Sequence, residues 1–586
     1  MINARHHLAV ACGLAALLTA VVWAAAATWY VGAERIVYWW DYMMWWKWTV
    51  MLMGEMFTEP AKAVDSVRRS LALSEYPLLP AIPLAAWCAV AGTTRLPFVL
   101  GITTIYGSAA AAALSYVCLG RRADAASSAP ASPPGPGPLV AALPIAVFLL
   151  WPLPFVVTMR GFVDVGAVAI SFVILGLFCT APAARWNIGR WVAIGSLLAV
   201  LFVFRRYWAF WVTSFAVVVT LDALWQAWHV RREPGRAWLR PLAGPATIGV
   251  AAAAAAAIIA WPMIVRVLNT PYADIYSAYQ MPAAGGFFAE IVRSFDDLLA
   301  SNGVLATLAG VAAVAGLVAR RETRRIGIVL GAMVLLSYVQ FRRVQGPGHH
   351  HHLLWTSLLT AATAVFATSF AARLPPRRAW GLVAGLAIAG MLQWAGAVVP
   401  AAAPLRFLVR GSASELPLVR TDLAELERLV TAIDRVAGKM GGGPRIYCLA
   451  SSSVLNQGIL YSYSPSLHKP FHSALLIGHT ADIDKRDGFP HDLVTADMVI
   501  VCDPPQVHQG EENQQVIVEP VRQMLAGEGI GAPFERVQAE FVLEGGVKTY
   551  LYVRMRPMEP QHVEALSEAL RQKYPDRPYV FQPRRR

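Results

Sequence analysis

Apolar segments dominate the first 400 residues of the chain and restrict what it can fold into. Of the 586 residues, 56% are hydrophobic and only 15% are charged, and the mean hydropathy is +0.47. Most of the segments are long enough to cross a hydrocarbon core of about 30 Å as helices. This composition excludes an ordinary soluble enzyme and predicts an α-helical polytopic membrane protein with about 12 or 13 spans. The segments lie near residues 7–29, 78–92, 97–118, 139–157, 163–181, 188–204, 207–225, 245–265, 302–319, 326–340, 353–372 and 379–399.

Basic residues predict the orientation of these spans. The net charge is +13, and most of the excess lies in short clusters between apolar segments, near 121–122, 231–240, 320–325 and 373–378. Such clusters are typical of cytoplasmic loops, so the charge needs no nucleic acid to explain it. The predicted alternation of inner and outer loops breaks down between residues 78 and 118, so one segment there must be short, re-entrant or unrecognised. The parts predicted to face outward are 160–164, 205–206, 266–300, 341–352 and everything after residue 400.

Beyond residue 400 the pattern changes to that of a soluble domain. Helical spacing alternates with short apolar runs that end in turn residues, and Glu544-Gly545-Gly546 is a hairpin signal. The sequence therefore predicts a transmembrane domain over residues 1–400 and an extracytoplasmic α/β domain over 401–586. The predicted helices of the second domain are Leu423–Val436 and Gln514–Leu525, and the predicted strands are Arg445–Ala450, Met498–Cys502, Glu535–Leu543 and Val547–Met555.

Two sets of side chains in this soluble domain leave alternatives open. Cys448 and Cys502 lie in strand-like runs, where they either pair in an oxidising exterior or remain buried thiols. A run of three serines from Ser451 and four histidines are scattered over loop-like sequence, which favours solvated or structural roles over catalysis. These histidines are His468, His472, His479 and His491.

An aromatic belt between Tyr38 and Trp48 embeds one carboxylate, Asp41, among five tryptophans. Tryptophan concentrates at the membrane interface because its ring is apolar and its N–H group is hydrated. The first outer loop, residues 30–76, is therefore predicted to lie along the bilayer surface. Asp41 is then either a catalytic acid or base that faces amphiphilic substrates, or an ordinary solvated residue of an interfacial anchor.

Cationic side chains interrupt the apolar segments at two places on the predicted outer side. Charged groups at membrane depth cost several kcal/mol unless they face a cavity or a partner, so these are candidate binding residues. Consecutive helical residues point about 100° apart, so one arginine of each pair can aim fully into a cavity. The two sites are Arg205 and Arg206 between Phe204 and Tyr207, and Arg342 and Arg343, which are followed by Gly348, His349, His350, His351 and His352.

The four histidines allow three interpretations. Imidazole is a common zinc ligand, but adjacent residues cannot all converge on one ion, and no carboxylate or cysteine stands at ligand spacing nearby. A structural interface cluster is the second interpretation. The third is that one or two histidines, with a nearby arginine, bind a phosphate at the mouth of a cavity. The short turn from Arg160 to Asp164 adds a second carboxylate, which either serves as an acid or, as we favour, pairs with Arg160.

The order of these features resembles that of the GT-C glycosyltransferases. It is most similar to bacterial relatives of the protein O-mannosyltransferases and lipid A aminoarabinose transferases, which use polyprenyl-phosphate sugars outside the cytoplasmic membrane. Asp41 matches the aspartate of their first outer loop. Tyr76 begins a Tyr-Pro-Leu run like their Tyr-Pro-Pro-Leu, and Asp164 ends a Gly-Phe-Val-Asp turn like their Arg-Pro-Asp-Ala. The Phe-Arg-Arg-Tyr step and the histidine run stand where relatives have a Thr-Lys or Thr-Arg pair and Gly-x-His-x-Tyr.

The resemblance implies a GT-C fold and an inverting transfer of sugar to an extracytoplasmic lipid, glycan or protein acceptor. Asp41 is then the base, although several relatives carry Asp-Glu there and this chain has Tyr42, so Glu34, Glu55 and Glu59 stay as second acids. The arginines, the histidines, Asp164 and Tyr76 are then the residues that bind the donor. The implied location is the bacterial inner membrane, with a divalent cation left open as a cofactor. A transporter or flippase for lipid-linked saccharides is the alternative.

Overall fold

The structure is a computed structural model of the chain. It describes residues 2–73, 76–126, 138–179, 187–231, 239–269, 286–343, 348–409, 415–441, 443–462 and 476–583. His468 and His472 lie outside the described residues. The chain divides into two compact units. The first takes in the described residues of 1–33, 48–271 and 281–417, and the second takes in 34–47 together with the described residues from 418 onward.

The first unit is mainly helical in its described residues. Its apolar segments form helices, which satisfies the backbone hydrogen bonds within each segment, as a lipid environment requires. A π-helical stretch, Ile102–Gly107, joins α5 to α6. The helices are α1 (Ile2–Ala33), α2 (Trp40–Thr58), α3 (Pro60–Leu73), α4 (Ala81–Ala91), α5 (Arg95–Gly101), α6 (Ser108–Ala126), α7 (Pro138–Leu150), α8 (Pro152–Met159), α9 (Val165–Cys179), α10 (Ile188–Phe204), α11 (Ala209–Val230), α12 (Arg240–Asn269), α13 (Gly286–Asn302), α14 (Val304–Ala319), α15 (Arg324–Arg342), α16 (Leu353–Ala371) and α17 (Pro376–Val398).

Among the described residues, seven helices are long and apolar enough to cross a membrane. The pair α7 and α8, bent by 53° at Trp151, makes an eighth if it is one span. Four shorter apolar helices, α4, α9, α10 and α14, account for the remaining predicted segments, so all twelve fall on helices. The chain is thus a multi-pass membrane protein. Helix α4 has 11 residues and is about 16 Å long, so it is shorter than a hydrocarbon core of about 30 Å.

Most of the aromatic belt is helical, and its location in an outer loop along the bilayer surface stays a prediction. Helix α2 begins at Trp40 and α3 follows after one residue, at Pro60. The division between the two units falls inside α2, between Lys47 and Trp48. Aromatic residues with methionines every few positions pack well along a helix, and the absence of proline or glycine between 40 and 53 leaves nothing to break it.

The second unit is built on a five-stranded mixed sheet with the order β2-β1-β3-β5-β4. The pairs β1–β2 and β1–β3 are parallel, and β3–β5 and β4–β5 are antiparallel. Its helices are α18 (Leu423–Met440), α19 (Gln457–Ser462), α20 (Asp484–Asp487), α21 (His491–Thr495), α22 (Gln515–Ala526) and α23 (Pro560–Lys573). Its strands are β1 (Arg445–Ala450), β2 (Leu476–Ile477), β3 (Met498–Gln506), β4 (Phe534–Leu543) and β5 (Val547–Arg554).

Both faces of this sheet are buried. Side chains of a strand alternate between the two faces, so neighbouring residues belong to different apolar clusters. Ile446 and Ile500 belong to an apolar cluster with the α18 side chains, and Tyr447 and Val499 belong to a second cluster with those of α22 and α23. Every predicted helix and strand of this domain is present, with ends that differ by a few residues, and the predicted hairpin joins β4 to β5. Cys448 and Cys502 are buried free thiols.

Candidate functional site

A buried ionic cluster lies in the helical unit around Asp164, which has no exposed surface. Its Oδ1 accepts a hydrogen bond from Arg205 Nε at 3.0 Å and another from the Tyr207 hydroxyl at 2.5 Å. The Arg205 guanidinium and the Tyr207 hydroxyl are therefore the described partners of this buried carboxylate.

Irregular backbone after two helices brings this cluster together. Helix α8 ends at Met159, and Gly161 follows with φ +85°, a conformation that favours glycine. The Arg95 guanidinium donates to the Met159 carbonyl at 2.9 Å, and a Cβ on Gly161 would lie 2.5 Å from its Nη1. The resulting turn sets Asp164 immediately before α9. Arg205 is extended (φ −154°, ψ 120°) between α10 and the 3₁₀ turn that begins at residue 206, so its side chain leaves the helical line.

Aromatic rings flank the guanidinium of Arg205, which is 4% exposed. Its Cζ lies 4.9 Å from the centre of the Tyr76 ring and 5.3 Å from that of Tyr207. The Tyr76 ring in turn contacts Trp48, with ring centres 5.6 Å apart. Arginine is stabilised over aromatic faces because their quadrupole is negative there. The structure thus brings three of the sequence-predicted residues, Tyr76, Asp164 and Arg205, into direct contact.

The four histidines form one 3₁₀ turn, His349–His352, at the start of α16. A 3₁₀ helix has about three residues per turn, so successive side chains diverge. His350 stacks on Phe162 with ring centres 4.3 Å apart, and its carbonyl accepts from the Tyr207 hydroxyl at 3.3 Å. The His351 ring lies 4.7 Å from that of Tyr207. His350 and His351 therefore adjoin the Asp164 cluster.

The sequence suggested an ion pair between Arg160 and Asp164, but the structure does not contain it. Its guanidinium forms an ion pair with Glu415 and donates to the Leu416 carbonyl at 2.7 Å. The other Glu415 oxygen lies 3.5 Å from His349 Nε2. The reason is the left-handed Gly161, which separates the two ends of the short turn, so each buried charge takes a partner from elsewhere in the chain.

The other predicted cations lie in different surroundings. Arg206 begins the 3₁₀ turn after Arg205 and is half-buried. Arg342, in the last turn of α15, forms an ion pair with Asp297 at 3.4 Å. Arg343 follows the end of α15 and is exposed. His352 is buried, with its ring edge-on to Trp355 at 5.2 Å.

Asp41 lies in the second unit, in the first turn of α2, and is half-buried. The three alternative acids have structural contacts. The Tyr38 hydroxyl donates to Glu34, which also accepts from the Leu418 amide at 3.4 Å. Glu55 and Glu59 lie 4.0 Å and 3.4 Å from the Lys62 ammonium, which is on the first turn of α3.

Asp164 Oδ2 has no hydrogen-bond partner among the described residues. Arg205 supplies a cation, and the histidine turn lies at the N-terminus of a 19-residue helix, so these two features suit an anion.

The sequence missed two residues of this site. Tyr207 follows the two arginines directly, and a hydroxyl beside buried charges was a usable signal. Glu415 lies 255 positions from Arg160 along the chain, and nothing in its local sequence indicated the contact. No group of three or more His, Cys, Asp or Glu residues in the described part of the chain is placed to hold a metal ion.

Comparisons with known proteins give one kind of match. No protein-family model matches the chain, and no curated protein gives a significant match. Among solved structures, the chain is similar to ArnT from Cupriavidus metallidurans bound to undecaprenyl phosphate, with a TM-score of 0.49 and 12% sequence identity. The alignment covers 91% of this chain and 97% of that chain. The roles of individual residues rest on the geometry of this chain alone.

Proposed function

We propose that the protein is an inverting glycosyltransferase that moves a sugar from a polyprenyl-phosphate donor to an extracytoplasmic lipid, glycan or protein acceptor. The observation that carries the proposal is the buried cluster of Asp164, Arg205 and Tyr207 beside the histidine turn. Ionisable groups inside an apolar helical protein are costly and mark binding or reaction sites. The residue order that resembles GT-C glycosyltransferases supports the same conclusion.

The cations of the cluster suit the leaving group of such a reaction. Transfer breaks the bond between the anomeric carbon and the phosphate oxygen, and the electron pair leaves with the phosphate. A phosphate monoester carries close to two negative charges at neutral pH. The Arg205 guanidinium is a permanent cation, and its Nε–H donates to Asp164. Arg205, with the histidines at the N-terminus of α16, stabilises the charge that develops on that phosphate.

Asp41 is the general base in this proposal. It accepts the proton of the acceptor hydroxyl while the hydroxyl oxygen forms the new bond to the anomeric carbon. A single displacement of this kind inverts the configuration of that carbon. The protein then lies in the bacterial inner membrane with its C-terminal domain outside, because polyprenyl-phosphate sugars of this kind are used on that side.

The test uses purified full-length protein with a panel of short-chain polyprenyl-phosphate sugars, and mass spectrometry to detect released polyprenyl phosphate. We expect Asp41→Asn to bind the donor within about twofold of the unmodified protein and to lose transfer by at least about 100-fold, since the amide keeps the shape and loses the base. The matched control is Asp65→Asn. Asp65 is an exposed residue of α3 that pairs with Arg69, and we expect its replacement to change transfer less than twofold.

Two results would contradict the proposal in different ways. Near-normal turnover in Asp41→Asn would assign the base to another acid, Glu55 first, because its Oε2 has no partner among the described residues. Tight donor binding without bond cleavage, even with crude envelope acceptors present, would instead identify a transporter or flippase for lipid-linked saccharides.

A further inference from the structure

The segment that carries Asp41 is folded as part of the C-terminal domain. Arg35 forms a parallel bridge with Val419, and its amide donates to the Leu418 carbonyl at 2.9 Å. Val37 and Trp39, 5% and 8% exposed, belong to the apolar cluster on the α18 face of the sheet. The other members of that cluster come from α18, β1, β3, β4, β5 and the turn into α19. Residues 34–47 are therefore a covering layer of the soluble domain in the second unit.

Trp40, the residue directly before Asp41, has φ +42° and is the one non-glycine residue with positive φ in the described ranges. For a bulky side chain this conformation is a genuine outlier. Such strain persists only where surrounding contacts determine the conformation, and it concentrates at functional sites. The backbone that enters α2, and with it the direction of Asp41, is thus fixed by something outside the local sequence.

Two features of the C-terminal domain hold Trp40. The His508 ring meets the Trp40 ring edge-on, with centres 4.8 Å apart. On the backbone side, Gly458 of α19 is in ordinary packing range, since a Cβ there would be 3.4 Å from the Trp40 amide nitrogen. Two further contacts follow along α2: the Met43 sulfur accepts from the Ser462 hydroxyl, and the Lys47 ammonium lies 3.7 Å from the Tyr461 ring centre.

His508 is itself fixed by hydrogen bonds at the end of β1. Its Nδ1 lies 2.5 Å from Ser451 Oγ, and its amide donates to Gln514 Oε1 at 2.8 Å. The Gln514 side-chain amide also donates to Ser451 Oγ at 2.9 Å. Ser451 and Gln514 are both fully buried or nearly so. The His508 imidazole is therefore held in place at the end of β1, and it restrains the Trp40 ring.

We infer that the C-terminal domain positions the Asp41 carboxylate, with His508 and Trp40 as the positioning residues. The inference rests on the proposed function, since it assigns Asp41 a reaction to be positioned for. It gives the soluble domain a role in the chemical step. Neither His508 nor Trp40 touches the reacting atoms, so their loss should lower turnover and leave donor binding intact.

The test measures both the backbone protection of the Asp41 segment and the transfer activity. Hydrogen–deuterium exchange of peptides that cover residues 36–47 is measured by mass spectrometry on full-length protein, alongside transfer and binding of undecaprenyl phosphate. In His508→Ala we expect exchange in this segment to be at least tenfold faster, turnover at least tenfold lower, and binding within twofold. His562→Ala is the matched control, because His562 lies on α23 and no described contact joins it to the segment.

A second pair of variants covers the case in which His508→Ala destabilises the whole domain. Trp40→Gly allows the positive φ but removes the ring, so we expect it to reproduce the fast exchange and low turnover. Trp40→Phe keeps a ring edge for His508 and should restore both to within threefold of the unmodified protein. A merely structural role would not produce this rescue together with unchanged exchange in the strands of the sheet.

The outcomes separate the two proposals. Unchanged exchange in residues 36–47, or normal turnover despite fast exchange, in both His508→Ala and Trp40→Gly would overturn the inference. No release of polyprenyl phosphate by the unmodified protein would overturn the proposed function and, with it, the role assigned to Asp41. The exchange data would still decide whether the domain anchors this segment.

Discussion

Two buried aspartates, one in each unit, have opposite hydrogen-bonding states. Asp484 in the soluble domain is 1% exposed, and both its oxygens are used: Oδ1 accepts from the Val516 amide at 2.8 Å, and Oδ2 accepts from the Gln515 amide at 2.7 Å and from the Tyr574 hydroxyl. Asp164 in the helical unit is fully buried, but only its Oδ1 is bonded among the described residues. The first carboxylate has donors on both oxygens, whereas the second has donors on one among the described residues.

This difference separates a structural role from a binding role. A fully satisfied buried network rigidifies a fold, whereas a partly satisfied one is costly unless another molecule completes it. Asp484 caps the N-terminus of α22 and stabilises it. Asp164 binds Arg205 and Tyr207 through Oδ1, and its Oδ2 has no hydrogen-bond partner among the described residues. Substitutions in each unit test this difference between the two aspartates.

The largest expected effect is on the helical side. We expect Arg205→Met to lower transfer by about 100-fold, equivalent to about 2.8 kcal/mol, because it removes the buried cation and leaves Asp164 without its ion-pair partner. Release of polyprenyl phosphate by mass spectrometry measures the loss. Arg69→Met serves as the control, since Arg69 is an exposed residue of α3 outside the candidate site, and we expect less than a twofold change.

A double variant distinguishes lost function from lost stability in this experiment. A single charge left in a buried pair destabilises a fold, and removing both can be nearly neutral. We therefore expect Asp164→Asn/Arg205→Met to recover the melting temperature lost in Arg205→Met and to remain inactive. Recovery of transfer in the double variant would mean that the pair serves the fold alone.

On the soluble side, the expected effect is on stability. Asp484→Asn replaces one acceptor oxygen with a donor that faces amide N–H groups, so we expect a loss of about 2 kcal/mol in the free energy of unfolding. For a domain of this size that corresponds to roughly 4–8 °C in melting temperature, which differential scanning fluorimetry measures. Asp576→Asn is the matched control, because Asp576 is 61% exposed. Loss of transfer without loss of stability in Asp484→Asn would remove the contrast between the two aspartates.

The smallest expected effect is a pH dependence in the same domain. Burial raises the pKa of Asp482 to about 7; Arg486 lowers it and Asp487 adds to the rise. Because the folded state holds this proton more tightly than the unfolded state, whose pKa is near 3.8, the stabilisation falls as pH rises from about 4 to 7. Asp482→Asn should flatten the melting temperature over that range by a few degrees. Parallel curves for the variant and the unmodified protein would contradict this assignment.

Much of the fold could be predicted from the sequence, because the signals were periodic and local. All twelve apolar segments fall on helices, since an apolar run in lipid must satisfy its own backbone. The alternating strands β4 and β5 and their hairpin were equally local. The helical backbone of the aromatic belt was not predicted, because tryptophan enrichment indicates where a segment lies and says little about its backbone conformation.

The candidate site was predictable in its residue types and only partly in its partners. Arg205 and the histidine run were noticeable because charges are expensive in an apolar setting. The partner of Asp164 was predicted wrongly, because Arg160 is four positions away in sequence but its guanidinium reaches Glu415 in space. An ion pair between residues 41 positions apart, such as Asp164 and Arg205, leaves no trace in local pattern.

The sequence by itself determined that this is a multi-pass helical protein with a C-terminal α/β domain. These follow from hydropathy and side-chain periodicity, which act over a few residues. The tertiary structure alone decided which buried charges pair, that Tyr207 and Glu415 belong to the site, and that the Asp41 segment folds onto the sheet. Those contacts join residues far apart in the chain, where chain closure and packing, and no local preference, select the partner.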